Sequence, residues 1–178
     1  VLNSLDRELQ RRDANKTTIT NTVIGQLLYV TILVSLFTAF LTLFRKDYFD
    51  NSRSILMLYS MITLFPIVVS EMMKHNFFSI YIIPFAIVPI FIRVFMDTRT
   101  AFIAHAVMIL ICAATVKYQY EFIIIQLVAG LVAIYSLREL SNRAQLFKTA
   151  LFVTVSSCLV YFSLQMIQNY DLMKMDQS

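Results

Sequence analysis

Charge breaks the hydrophobicity of this chain at short, regular intervals. Uncharged runs cover Thr17–Phe44, Ser54–Ser70, His75–Ile92, Thr100–Val116, Phe122–Leu137 and Thr149–Tyr170. A membrane-spanning helix needs ~20 predominantly apolar residues, with a range of ~17–25. The pattern therefore predicts six spans, an all-α polytopic membrane helical bundle over residues 19–170. The fifth run is short, but Tyr120 and Arg138 can extend it, because long amphipathic side chains reach the interface from inside a helix end. Strands do not compete: the runs are too long, and an open sheet edge is not tolerated in lipid.

The spans meet at charged elbows. In residues 83–102, IPFAIVPIFIRVFMDTRTAF, apolar sequence with Pro84 and Pro89 stops at Arg93, and apolar sequence resumes at Thr100 after Asp97 and Arg99. Each proline removes a backbone donor, so a kinked or broken helix is expected there, and the pair is a candidate hinge. If the helix continued, Arg93 and Asp97, four apart, would share one face. A second elbow, LRELSNR, carries Arg138, Glu139 and Arg143. These six charges (Arg93, Asp97, Arg99, Arg138, Glu139 and Arg143) either anchor the topology or form a docking and coupling surface for a neighbouring domain.

Orientation follows from Lys and Arg in short loops. One side holds Arg45, Lys46, Arg53, Arg93, Arg99, Arg138, Arg143 and Lys148; the other holds Lys74, Lys117 and Lys174. The richer side is expected to be cytoplasmic. The tail carries Arg7, Arg11, Arg12 and Lys16, but Asp6, Glu8 and Asp13 are interleaved. Residues 1–18 are expected outside, as the last helical turns of an extracytoplasmic domain. Residues 171–178 are expected to be an outer loop or tail. There is no signal peptide, and a first residue of Val1 reads as a piece of something longer.

Composition agrees with the pattern. Hydrophobic residues make up 58% and charged ones only 15%, against about 25% charged in soluble domains. The lipid bilayer is the primary partner. The net charge of +4 is spread between spans, which is no surface for nucleic acid. Cys112 and Cys158 lie in apolar runs without metal or disulfide spacing. His75 and His105 are the only histidines. No carboxylate or histidine cluster appears, so no catalytic residue, metal site or cofactor site is expected in this chain. Gln26, His105, Gln126 and Gln165 are polar groups inside apolar runs. They are either hydrogen-bonding contacts between helices or the lining of a site for a small polar ligand.

The segment at 83–102 resembles the stretch with paired prolines, an Arg, an Asp and a second Arg in bacterial seven-transmembrane receptors with an intracellular HD hydrolase domain. LVAGLVAIYSLRELSNRAQLFKTAL resembles that family's next elbow, with Gly130, Arg138 and Arg143 at matching places. VLNSLDREL is similar to the end of its extracellular domain. The resemblance implies a chain running from an extracellular domain through seven helices to a cytoplasmic HD phosphohydrolase. It places a seventh helix after Ser178 and two divalent metals in the HD domain, outside this sequence. It implies a parent acting as a cyclic di-AMP phosphodiesterase in the bacterial cytoplasmic (inner) membrane. This chain would then be its sensory and regulatory membrane module, with the HD and extracellular domains as partners and homodimerisation left open. The alternative is a small-molecule-binding subunit of a membrane transporter, a class of similar length.

Overall fold

The structure is a computed structural model describing residues 2–50, 52–75, 83–137 and 143–175. Its helices are α1 (Leu2–Phe44), α2 (Asp47–Asp50), α3 (Ser52–His75), α4 (Ile87–Phe95), α5 (Thr98–Ala113), α6 (Gln119–Ser136) and α7 (Arg143–Met175). Among the described residues no strand occurs.

Successive long helices run antiparallel, and side-chain bonds fix their register. Thr38 on α1 meets Tyr59 on α3 at 2.6 Å. Tyr29 on α1 donates to the Leu110 carbonyl of α5 at 3.2 Å. Thr149 on α7 donates to Ser136 at the end of α6 at 3.0 Å. At the other end of that pair, Gln168 donates to Glu121 at 2.5 Å.

Helix α5 is the hub. It packs against α1, α3, α4 and α6, and buries Ala101, Ala104, His105, Met108, Ile109 and Cys112. Small residues let neighbouring backbones approach closely. A ring cluster seals the adjoining layer: Phe85 lies 5.2 Å from Phe122 and 5.9 Å from Phe65, centroid to centroid. The outer surfaces of α1 and α7 are bare hydrocarbon, as at Leu27, Leu36, Phe147, Leu151, Leu159 and Phe162. In water such patches would drive association; in a bilayer they are already in their solvent. Helix hydroxyls are settled internally, with Thr31, Thr38, Thr154 and Ser163 bonded to carbonyls one turn back, as a medium without water requires.

The expected six spans are more than the helix lengths support. Among the described residues, four helices have the length and apolarity to cross a membrane: Thr20–Phe44, Ser52–Lys74, Gln119–Ser136 and Gln145–Gln168. The fourth uncharged run makes a 16-residue helix, about 24 Å at ~1.5 Å per residue against a ~30 Å hydrocarbon core. In the third run, residues 76–82 lie outside the described residues; after them come a turn and the nine-residue α4. A count of uncharged residues overreaches here because it is blind to backbone breaks. The chain turns at Pro84, where the Ile87 amide donates to the Pro84 carbonyl at 3.0 Å, and it breaks again at Asp97, which caps α5. At the ends, helix extends beyond the apolar sequence: α1 begins at Leu2, and α7 continues to Met175, into the stretch expected as a loop.

Candidate functional site

The charged elbow between α4 and α5 is built around Asp97. Helix α4 ends at Phe95, and Met96 leaves helical geometry at φ −135°, ψ −136°. Asp97 is extended at φ −124°, ψ 164°, and caps α5. Its Oδ2 accepts from the Arg99 amide at 3.2 Å and the Thr100 amide at 3.4 Å. Its Oδ1 accepts from the Thr100 hydroxyl at 2.6 Å. These amide donors are orphans of the first helical turn, and a carboxylate there also meets the positive end of the helix dipole.

Two further groups converge from distant sequence. The Tyr48 hydroxyl donates to Asp97 Oδ1 at 2.7 Å, and Arg45 pairs with Oδ2 at 2.5 Å. The Arg45 guanidinium stands 5.7 Å from the Tyr48 ring centroid, within cation–π reach. One carboxylate thus ties the end of α1, the short α2 and the start of α5 together. Partial burial pushes the Asp97 carboxyl up, but hydrogen bonds from Thr100 and Tyr48 and the Arg45 charge outweigh it, holding Asp97 at about 2 against an ordinary 3.8. Burial raises the Tyr48 phenol, and its bond to Asp97 raises it further. At neutral pH Asp97 is therefore ionised, while Tyr48 keeps the proton it donates.

The face that Arg93 and Asp97 would share in a continuous helix does not form, because α4 ends at Phe95, between the two. Asp97 takes Arg45 as its ion-pair partner instead. Arg93 sits in the last turn of α4, where a cation complements the dipole. Arg99 is exposed. Arg138 and Glu139 lie outside the described residues, and Arg143 begins α7. To sequence reading, Arg45 is one topological charge among eight and Tyr48 gives no sign of a role. The available signal was the Asp before an apolar helix, an N-cap signature; the partners, some fifty residues away, left no local trace.

The intramembrane polar residues separate into two groups. His105 on α5 is fully buried, and its Nε2 donates to the Gln126 carbonyl of α6 at 2.9 Å. The acceptor being a carbonyl, the proton must sit on Nε2. Among the described residues, the buried His105 Nδ1 has no partner. The ring fills the space above Gly130: a Cβ there would stand 2.2 Å from two of its atoms. Gly130 is thus required by close approach rather than by backbone conformation. Gln126 is itself buried, and its side chain lines a cleft of about 760 Å³ bounded by α4 with its preceding turn, α6 and α7. Gln26 is exposed on α1, beside a shallower hollow of about 390 Å³ shared with Gln119. Gln165 is half-buried on α7.

Pro84 lies in the turn before α4, on the rim of the cleft. Pro89 occupies the first turn of α4 and is buried, where its missing amide has no intrahelical acceptor to lose. Among the described residues, no group of three or more His, Cys, Asp or Glu is placed to hold a metal ion.

Comparison with known proteins gives one result. The family described as 7TM receptor with intracellular HD hydrolase matches residues 21–178. No curated protein and no solved structure matches the chain.

Proposed function

Since the chain belongs to the family of 7TM receptors with an intracellular HD hydrolase, we propose that it relays an outside signal through its elbow end to that hydrolase, and that the hydrolase is a cyclic di-AMP phosphodiesterase. Membership makes the chain a multi-pass membrane module of an HD protein. It favours this reading over a transporter subunit. The family match over 21–178 is the observation that carries the proposal.

On this reading the elbows at 45–53, 93–99 and 138–148 face the cytoplasm of a bacterium, with residues 1–18 and 171–178 outside. Support comes from the excess of Lys and Arg on the elbow side. The hydrolase, with its two metals, belongs to the parent beyond this chain, as do an extracellular domain and a seventh span. Homodimerisation belongs to the same proposal. The bundle contributes no catalytic group. Its part is to hold the elbow surface, and with it the attached domain, in one of two arrangements; a signal shifts their balance only by binding one better than the other. Pro84 and Pro89 are the candidate hinge, since a turn between α4 and the preceding segment can absorb a change in backbone angle more cheaply than a continuous helix. Arg93, Asp97, Arg99, Arg138, Glu139 and Arg143 are the candidate coupling surface.

The test uses the full-length parent in membrane vesicles. Metal-dependent hydrolysis of cyclic di-AMP is expected. The Arg93→Lys, Arg138→Lys double variant is expected to lose the response to signal, because Lys keeps the charge but not the planar fork of a docking contact. Wild-type activity and response in that variant reduce both arginines to anchors. Impermeant thiol labelling of Asp50→Cys or Asn142→Cys from outside intact cells overturns the orientation.

A further inference from the structure

The cleft between α4, α6 and α7 holds an unmet polar demand. Gln126 is only 7% exposed, and its carbonyl is occupied by His105. Gln126 lines the cleft, and among the described residues its side-chain amide has no hydrogen-bond partner, while its backbone carbonyl is taken. Gln126 is the eighth residue of the 18-residue α6, near the middle of a span. Water is scarce at that depth, and an unpaired amide there carries a desolvation penalty. Across the cleft, α7 presents Thr154, Ser157 and Tyr161, at the three- and four-residue spacing that puts side chains on one helix face. The Thr154 hydroxyl is committed to the Ala150 carbonyl. The rest of the wall is apolar, chiefly Phe85, Ile87 and Ile125, and among the described residues no charged side chain lines it. Its volume of about 760 Å³ falls within the ~300–1,000 Å³ of small-molecule sites.

We propose that this cleft is an intramembrane binding site for a neutral lipophile, an apolar chain bearing a carbonyl or hydroxyl oxygen, which enters from the bilayer and bonds to the Gln126 amide. The described lining offers no charge to pair with an ionised headgroup, which favours a neutral ligand. The apolar outer face of α7 and the exposed Ile87 at the rim open the cleft toward acyl chains rather than toward water. A water-soluble ligand would have to leave its hydration for a wall that is mostly hydrocarbon. Gln126 also joins the site to the hub: its side chain meets the ligand while its backbone holds His105 of α5. The proposal does not depend on the substrate of the attached hydrolase.

The probe is a diazirine-bearing sixteen-carbon alcohol, with the matching diazirine alkane as its control. The full-length protein is reconstituted in phosphatidylethanolamine–phosphatidylglycerol vesicles, irradiated, and its adducts mapped by mass spectrometry. Adducts are expected within 83–90 and 154–161, saturable by unlabelled hexadecanol. The alcohol should exceed the alkane by roughly fivefold, the effect of one net hydrogen bond. Gln126→Leu, which keeps volume and removes the unpaired amide, should abolish that preference while leaving alkane labelling unchanged. Ala129→Phe, which fills the cleft, should suppress both. Non-saturable labelling, equal labelling by alcohol and alkane in the wild type, or an undiminished alcohol preference in Gln126→Leu each overturns the proposal.

Discussion

Helices α5 and α7 pose the same sequence problem and solve it in opposite ways. Neither carries its apolar residues on one stripe. Helix α5 is enclosed by four neighbours, whereas α7 packs chiefly against α6 and stands bare elsewhere. A bilayer makes both arrangements stable, since lipid tails are as apolar as Leu and hydrocarbon gains little by leaving them for protein. What separates the two helices is shape. Helix α5 brings Ala101, Ala104 and a histidine seated on Gly130; α7 turns Leu151, Phe152, Leu159 and Phe162 outward.

If that contrast is correct, equal truncations should have unequal costs. Met108→Ala on α5 opens a cavity that protein must leave empty, an expected loss of about 2–5 kcal/mol. Leu159→Ala on α7 exposes a surface that lipid refills, with an expected change within about 0.5 kcal/mol. Reversible unfolding in bicelles reads both, and similar losses at the two sites would erase the distinction.

The contact between His105 and Gly130 sharpens it next. Gly130→Ala places a methyl inside the buried ring, at an expected cost of about 1–3 kcal/mol. The same unfolding assay on the His105→Ala, Gly130→Ala pair should show strong non-additivity, because the first change removes what the second collides with. Additive losses would mean that the ring is not seated there.

The smallest of the expected losses belongs to the elbow. Asp97→Ala removes a cap and an ion pair, for about 0.5–2 kcal/mol. Most of that is the cap, since a part-exposed pair is screened. The carboxyl is held at about 2, below its ordinary 3.8. Its contribution is therefore complete above the unfolded value, near pH 4, and is lost as pH falls toward 2. Melting temperature in detergent should fall less steeply across that window in Asp97→Asn than in the wild type; parallel slopes would show that the carboxylate is not depressed.

The sequence made the helices legible because charge cannot lie within a span without cost, so elbows and runs alternate visibly. It could not say which helix becomes the hub. Hydropathy measures transfer from water, and α5 and α7 leave water equally whether protein or lipid receives them. The breaks at Pro84 and Asp97 are visible as residue types, but counting uncharged positions carries a span through the first, and a face shared by Arg93 and Asp97 needs a helix running through both, whereas α4 ends between them. Asp97 as a cap was readable locally; Arg45 and Tyr48 as its partners depend on α1 returning beside α5. The cleft beside Gln126 depends likewise on where α7 lies.

In the proposed coupling, the elbow end passes the state of the bundle to the hydrolase of the parent, and the Asp97 cluster is the best-defined part of that end. The direct measurement is cyclic di-AMP hydrolysis by the full-length parent in vesicles, comparing wild type, Arg45→Gln, Asp97→Asn and the double variant at matched insertion. Each single change is expected to shift activity at least about threefold, and the double variant to match the singles, since they break one shared contact. Wild-type rates in all three variants would contradict coupling through the elbow and leave it as an anchor alone.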